Sequence, residues 1–90
     1  MEVFLIKFTV MKITILFFGI TTDLLNLNSI EFTTKTKNTI GNLKTELQEK
    51  YPQLTSINSY AIAVNETYAT NGVVLKEGDI VAIIPPVSGG

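Results

Sequence analysis

Two segments near opposite ends of the chain carry apolar residues on both parities. In Lys12–Phe18, Ile13, Ile15 and Phe17 alternate with Thr14, Leu16 and Phe18. In Ile80–Ile84 every residue is apolar. Strands apolar on both faces belong in the middle of a sheet, where each face meets something other than water. Only one segment between them has a long helical period. Thr39 is a good N-cap, because its hydroxyl can accept a backbone N–H of the first turn. Ile40, Leu43, Leu47 and Tyr51 then recur at helical spacing, and Pro52 stops the run. Glu46 and Lys50 read as an i,i+4 pair on the exposed side. Gly41 weakens the helix and is expected to allow close packing on the sheet.

The other segments fill in the sheet. Gly19 ends the first strand, and residues 21–28 read as a loop with Leu24, Leu25 and Leu27 embedded in it. Ile30–Lys35 alternates Ile30 and Phe32 with Glu31 and Thr33, a half-buried strand expected to run antiparallel to the first. Tyr60–Val64 is a further strand, and Asn65-Glu66-Thr67 opens a loop. Asn71-Gly72 and Glu77-Gly78-Asp79 are turn signals flanking a short extended piece, Val73–Leu75. The order β, β, α, β, short β, β places the first and last strands side by side at the centre. The hairpin then lies on one flank and Tyr60–Val64 on the other. This is an α+β fold of the β-grasp, ubiquitin-like type, with a mixed four- to five-stranded sheet and one main helix. One helix covers one sheet face. The other face should present Leu16, Phe18 and one parity of Ile80–Ile84, Ile84 included, to solvent.

Composition narrows the chemistry. The 90 residues include no Cys and no His, so thiolate nucleophiles, disulfides, Cys-based zinc sites and the usual neutral-pH base are absent. Net charge is −1 and all seven basic residues are lysine, so the chain lacks the basic stripe of a nucleic-acid binder. The apolar stretches are too short for a membrane helix, since Lys7 and Lys12 interrupt the first of them. Met11-Lys12 followed by Ile13–Ile20 imitates a signal peptide, but no small-residue cleavage site follows. A cytoplasmic location is therefore expected. Residues 1–10 read as an N-terminal extension, either a region upstream of an alternative start or an added edge strand. Residues 11–84 form the domain, and residues 85–90 form an extended tail.

Other motifs are weak. Gly41-Asn42-Leu43-Lys44-Thr45 lacks the glycine that precedes the lysine of a phosphate-binding loop, and reads as helix. Glu46 with Glu49, and Glu77 with Asp79, read as solvated surface charge. Asn65-Glu66-Thr67 matches a glycosylation triplet but reads as a turn. The tail Pro85-Pro86-Val87-Ser88-Gly89-Gly90 is more specific. Two prolines hold the chain extended, and six extended residues reach about 20 Å. Gly89 and Gly90 have no side chains and can thread a narrow slot.

Lys12-Ile-Thr-Ile-Leu-Phe-Phe-Gly19, Ala63-Val64-Asn65, Gly78-Asp79-Ile-Val-Ala-Ile-Ile84 and Pro85-Pro-Val-Ser-Gly-Gly90 together resemble the small subunit of molybdopterin synthase, a ubiquitin-like sulfur carrier. The resemblance runs from Met11 to Gly90; residues 21–28 depart from the pattern. It implies that Gly90 is adenylated with ATP by a partner similar to ubiquitin-activating enzymes. A sulfur-donor protein would then convert it to a thiocarboxylate. Gly89 would thread into the synthase large subunit, within a heterotetramer, where the sulfur reaches cyclic pyranopterin monophosphate. It implies a non-catalytic, sulfur-donating subunit that binds no cofactor itself. Leu16, Phe18, Ile84, Pro85, Pro86, Val87 and Ser88 would meet the partners. Two alternatives share the tail chemistry up to the adenylate: a thiamine-type sulfur carrier, and a ubiquitin-like modifier joined to lysines.

Overall fold

The computed structural model describes residues 9–57 and 59–86. Its elements are β1 (Val10–Phe17), α1 (Ile20–Leu25), β2 (Ser29–Lys35), α2 (Ile40–Lys50), a 3₁₀ turn (Pro52–Ser56), β3 (Ala61–Val64), β4 (Thr67–Ala69) and β5 (Ile80–Ile84). The five strands form one sheet in the order β2-β1-β5-β3-β4. β1 and β5 are the central neighbours and run parallel, with Ile15 opposite Val81 and Phe17 opposite Ile83. β2 is antiparallel to β1, and β3 is antiparallel to both β4 and β5. The expected mixed sheet with a central first and last strand is what forms.

The period of two in each strand decides which side chains go in. Met11, Ile13, Ile15 and Phe17 of β1, Phe32 of β2, Ile62 of β3, and Val81 and Ile83 of β5 are buried on one face. Ile40, Leu43 and Leu47 of α2 close over them and are fully buried. Each such side chain contributes about 1.5–3 kcal/mol by leaving water. Thr39 caps α2 as expected, its hydroxyl accepting the Asn42 N–H at 3.2 Å. Leu54 from the 3₁₀ turn and Leu75 from the last loop fill the ends of this core. Tyr51 packs edge-on against Phe17, with ring centroids 6.2 Å apart.

Several local expectations need correction. Residues 21–28 are not simply a loop, because α1 occupies Ile20–Leu25. Its order comes from contacts, not propensity. Thr21 is buried and its hydroxyl accepts the Phe18 N–H, while the Thr22 hydroxyl donates to the Phe17 carbonyl. The fifth strand is Thr67–Ala69, not Val73–Leu75, of which Val74 makes only an isolated bridge to Thr39. The hairpin turn between β3 and β4 is Asn65-Glu66, both at positive φ (50° and 73°). The sheet begins at Val10, which pairs with Lys35, and the Thr9 carbonyl accepts the Thr36 N–H. Those two residues therefore belong to the domain and not to the extension. Gly41 approaches the loop and not the sheet: a Cβ there would stand 3.3 Å from Asn71 Cβ, and its N–H donates to the Asn71 carbonyl.

Glu46 was expected to pair with Lys50 in solvent. Instead its carboxylate accepts the Thr34 hydroxyl at 2.7 Å and the Asn38 amide at 3.2 Å. Lys50 lies over the rings of Phe32 and Tyr51. Asn38 is fully buried at the hub of this cluster. Its Nδ2 also donates to Thr34, its Oδ1 accepts the Thr39 N–H, and its carbonyl accepts the Leu75 N–H. It ties β2, the start of α2 and the last loop together. Truncating a buried amide leaves its partners unpaired, at a cost of about 1–3 kcal/mol. Asn38→Ala should lower unfolding stability by that amount in urea denaturation, while circular dichroism shows the same secondary structure.

Candidate functional site

Among the described residues, no helix lies over the face of the sheet away from α2. Across β1, β5, β3 and β4 it carries one row of opposed residues: Leu16, Ala82, Ala63 and Tyr68. Phe18, Ile80, Ile84 and Ala61 flank that row. Phe18 is 48% exposed, Ile80 46% and Tyr68 71%. These are large apolar or aromatic surfaces left in water, and monomers seldom keep such surfaces together without a binding role. Leu16, Phe18, Ile80 and Ala82 line a shallow hollow whose rim is Asn65 and Glu66. A second hollow adjoins the end of β5, between Ser59, Tyr60, Ala61, Tyr68, Ile84, Pro85 and Pro86.

The rim is fixed by side-chain bonds to the backbone. Asn65 Oδ1 accepts the Ile80 N–H at 2.9 Å and its Nδ2 donates to Asp79 at 2.9 Å. Asp79 also accepts the Lys76 N–H, and Glu77 accepts the Lys12 N–H. Glu77 and Asp79 are thus acceptors that hold turns, not free surface charge. Asn65 is equally committed, so its triplet serves the turn. Lys44 lies within α2, as the missing phosphate-loop glycine led one to expect. Among the described residues no cluster of three or more metal-binding side chains is present, and no helix is long and apolar enough to cross a membrane.

The structure brings the named site residues together unevenly. Leu16 and Phe18 share the open face with half-buried Ile84. Pro86 is exposed at the exit from β5. Pro85 is largely buried, its ring against Gly19, and it also borders the second hollow beside Ile84 and Pro86. The cause is the strand period: Val81, Ile83 and Pro85 share one parity, and that parity faces inward. Val87, Ser88, Gly89 and Gly90 lie outside the described residues. Tyr68, Ile80, Ala61 and Ala63 were not singled out individually from the sequence. Ala61 and Ala63 share one parity of their strand, and their register with Ile84 and Ala82 puts them on the open face; nothing in the sequence marked Thr67–Ala69 as a strand.

Tyr60 borders the second hollow. Burial pushes its phenol above the usual 10, and a hydrogen bond from Gln48 offsets this in part. The Lys44 ammonium lies 5.5 Å from its ring centroid. The raised value means that the folded state holds this proton more tightly than the unfolded chain. Stability from this group is intact below pH 10 and is lost as pH rises through the folded value. A spectrophotometric titration should show Tyr60 ionising later than in Tyr60→Phe difference spectra of the unfolded chain. The alkaline loss of stability should shrink in that variant.

A five-stranded sheet with a helix on one face, an open apolar face and a proline-stiffened exit defines a β-grasp domain of the ubiquitin-like class. The chain belongs to the ThiS family, whose model matches residues 15–90. It is 38% identical over 85 residues to the molybdopterin synthase sulfur carrier subunit of Drosophila melanogaster, covering 90% of this chain and 93% of that one. It is 46% identical over 52 residues to the subunit of that name from Mycobacterium tuberculosis, covering 57% of this chain and 63% of that relative. Among solved structures it matches a protein–protein complex of subunits 1 and 2 of the molybdopterin-converting factor from Helicobacter pylori. The TM-score is 0.66 at 29% identity, covering 89% of this chain and 100% of the matched one.

Proposed function

We propose that this chain is the sulfur carrier subunit of a molybdopterin synthase. The observation that carries this is the similarity along about nine-tenths of the chain to a sulfur carrier subunit of that enzyme. The geometry supports it. The domain offers a docking face and an exit, and its sequence supplies neither His nor Cys. Such a chain carries a group to chemistry performed elsewhere. The open face of Leu16, Phe18, Ile80, Ala82 and Ile84 is suited to a large subunit; subunits 1 and 2 of the Helicobacter pylori factor form a protein–protein complex. With a net charge of −1, that contact is mainly apolar and depends modestly on salt.

The tail supplies the chemistry. A carboxylate is a poor electrophile. The Gly90 carboxylate attacks the α-phosphorus of ATP on a partner similar to ubiquitin-activating enzymes, and pyrophosphate leaves. Sulfide-level sulfur from a donor protein then displaces AMP from the acyl carbon, and Gly90 becomes a thiocarboxylate. Inside the large subunit that sulfur attacks the pterin precursor; water then cleaves the resulting acyl–sulfur bond, which returns the Gly90 carboxylate and leaves the sulfur on the pterin, and two such deliveries build a dithiolene. The carrier contributes proximity, holding one sulfur atom at high local concentration. A modifier of lysines would share the adenylate but end on an amine.

Intact mass spectrometry after incubation with ATP, the activating partner and a sulfur source should show one oxygen of the protein exchanged for sulfur. Deleting Gly90 should abolish the exchange with no change in thermal stability. Gly89→Val, which puts a β-branched side chain where a bare backbone is needed, should cut sulfur delivery steeply. Normal transfer by the chain lacking Gly90 would contradict the carrier function. Accumulation of an amide-linked product in place of the thiocarboxylate would favour the modifier.

A further inference from the structure

Pro85 borders the second hollow, yet most of its ring is buried at the root of the tail. Pro85 follows β5 directly, and its neighbour Pro86 is exposed. A Cβ at Gly19 would stand 3.1 Å from Pro85 Cγ, so the two residues are in close approach. Gly19 has φ 56° and ψ −136°, a backbone conformation that side chains oppose. It sits in a turn closed by the Thr21 N–H to the Phe18 carbonyl at 3.2 Å. The turn is pinned further. The Thr21 hydroxyl accepts the Phe18 N–H at 3.1 Å and donates to the Phe18 carbonyl, and the Thr22 hydroxyl donates to the Phe17 carbonyl at 3.0 Å. The wall against Pro85 is therefore rigid. The same turn begins with Phe18, on the open face.

We propose that the Gly19–Pro85 contact is a positioning device for sulfur delivery, which fixes the direction of the tail relative to the docking face. The inference rests on the carrier function proposed above. Proline locks its own φ and keeps the preceding residue out of the helical region. Ile84 and Pro85 both precede a proline, so the chain from Ile84 to Pro86 has little freedom of its own. Covalent stiffness alone holds local conformation but does not tie it to the rest of the fold. The buried ring against Gly19 makes that tie, at a turn one residue from Phe18. A partner that grips Phe18 thereby receives the tail along a set direction. The effective concentration of Gly90 in the partner's pocket rises accordingly.

The test separates aiming from docking and from folding. Full-length Pro85→Gly, Pro85→Ala and Pro86→Gly variants are charged with sulfur and mixed with the large subunit, well below their unfolding temperatures. Affinity and the single-turnover rate of sulfur transfer are measured separately. Pro85→Gly should leave Kd within about twofold and lower the transfer rate roughly five- to tenfold. Pro85→Ala, which disturbs the fold less, should show the same split to a smaller degree. Pro86→Gly loosens the pair but leaves the Gly19 contact, and should lose clearly less than Pro85→Gly. A purely structural role would lower the unfolding temperature and leave the single-turnover rate unchanged. An unchanged rate, or an equal loss in Pro85→Gly and Pro86→Gly, overturns the inference while the carrier function stands. If the unsubstituted chain delivers no sulfur at all, the carrier function itself fails, and the inference with it.

Discussion

The parallel pairing of β1 with β5 is the contact on which the rest of the molecule depends. It joins segments more than sixty residues apart in sequence, Thr14 with Ile80 and Phe17 with Ile83. Loop closure over that distance is costly and must be offset by burial. The offset is visible in the residues. Ile13, Ile15 and Phe17 meet Val81 and Ile83 under α2, and all five are buried. The same pairing sets the opposite parity. Leu16 and Ala82 become cross-strand neighbours on the open face, with Phe18 and Ile84 at the end of that row. A one-residue slip in register would reverse both faces at once. The core and the candidate docking surface are two consequences of one register.

Much of this was legible because the signals were long or doubled. Two strands apolar on both parities required a central position. A capped helix with a four-residue stripe required one covered face, and the second apolar face followed by subtraction. What stayed hidden was short or held by tertiary bonds. α1 has six residues, begins Ile-Thr-Thr after a glycine that offers no side-chain cap, and is ordered by hydroxyl bonds to the end of β1. β4 has three residues. Its hairpin turn puts Glu66 at positive φ, where glutamate is uncommon, and the stronger Asn-Gly signal stood at residues 71–72 instead. Glu46 looked like a surface charge because helix spacing says nothing about Thr34 and Asn38. Pro85 looked like part of an exposed tail. Extending the strand's alternation by one residue would have placed it inward.

These features divide the labour within a small domain. The face under α2 provides stability. Polar side chains at turns, Asn38 and Asn65 above all, fix loops by bonding to backbone groups. The open face offers apolar area that no other described element covers. The proposed positioning of the tail rests on the turn from Phe18 to Thr21, which side-chain hydroxyls pin to the end of β1.

The central claim is that the open face receives the large subunit while the helical face remains free. The most direct measurement is a backbone amide NMR titration of the isotope-labelled chain with unlabelled large subunit, followed by cross-saturation. The account predicts that the affected amides cluster at Leu16, Phe18, Ile80, Ala82, Ile84 and Tyr68, leaving the exposed outer side of α2 at Asn42, Thr45 and Glu49 unaffected. Saturation centred on α2, with the open face unchanged, would contradict it.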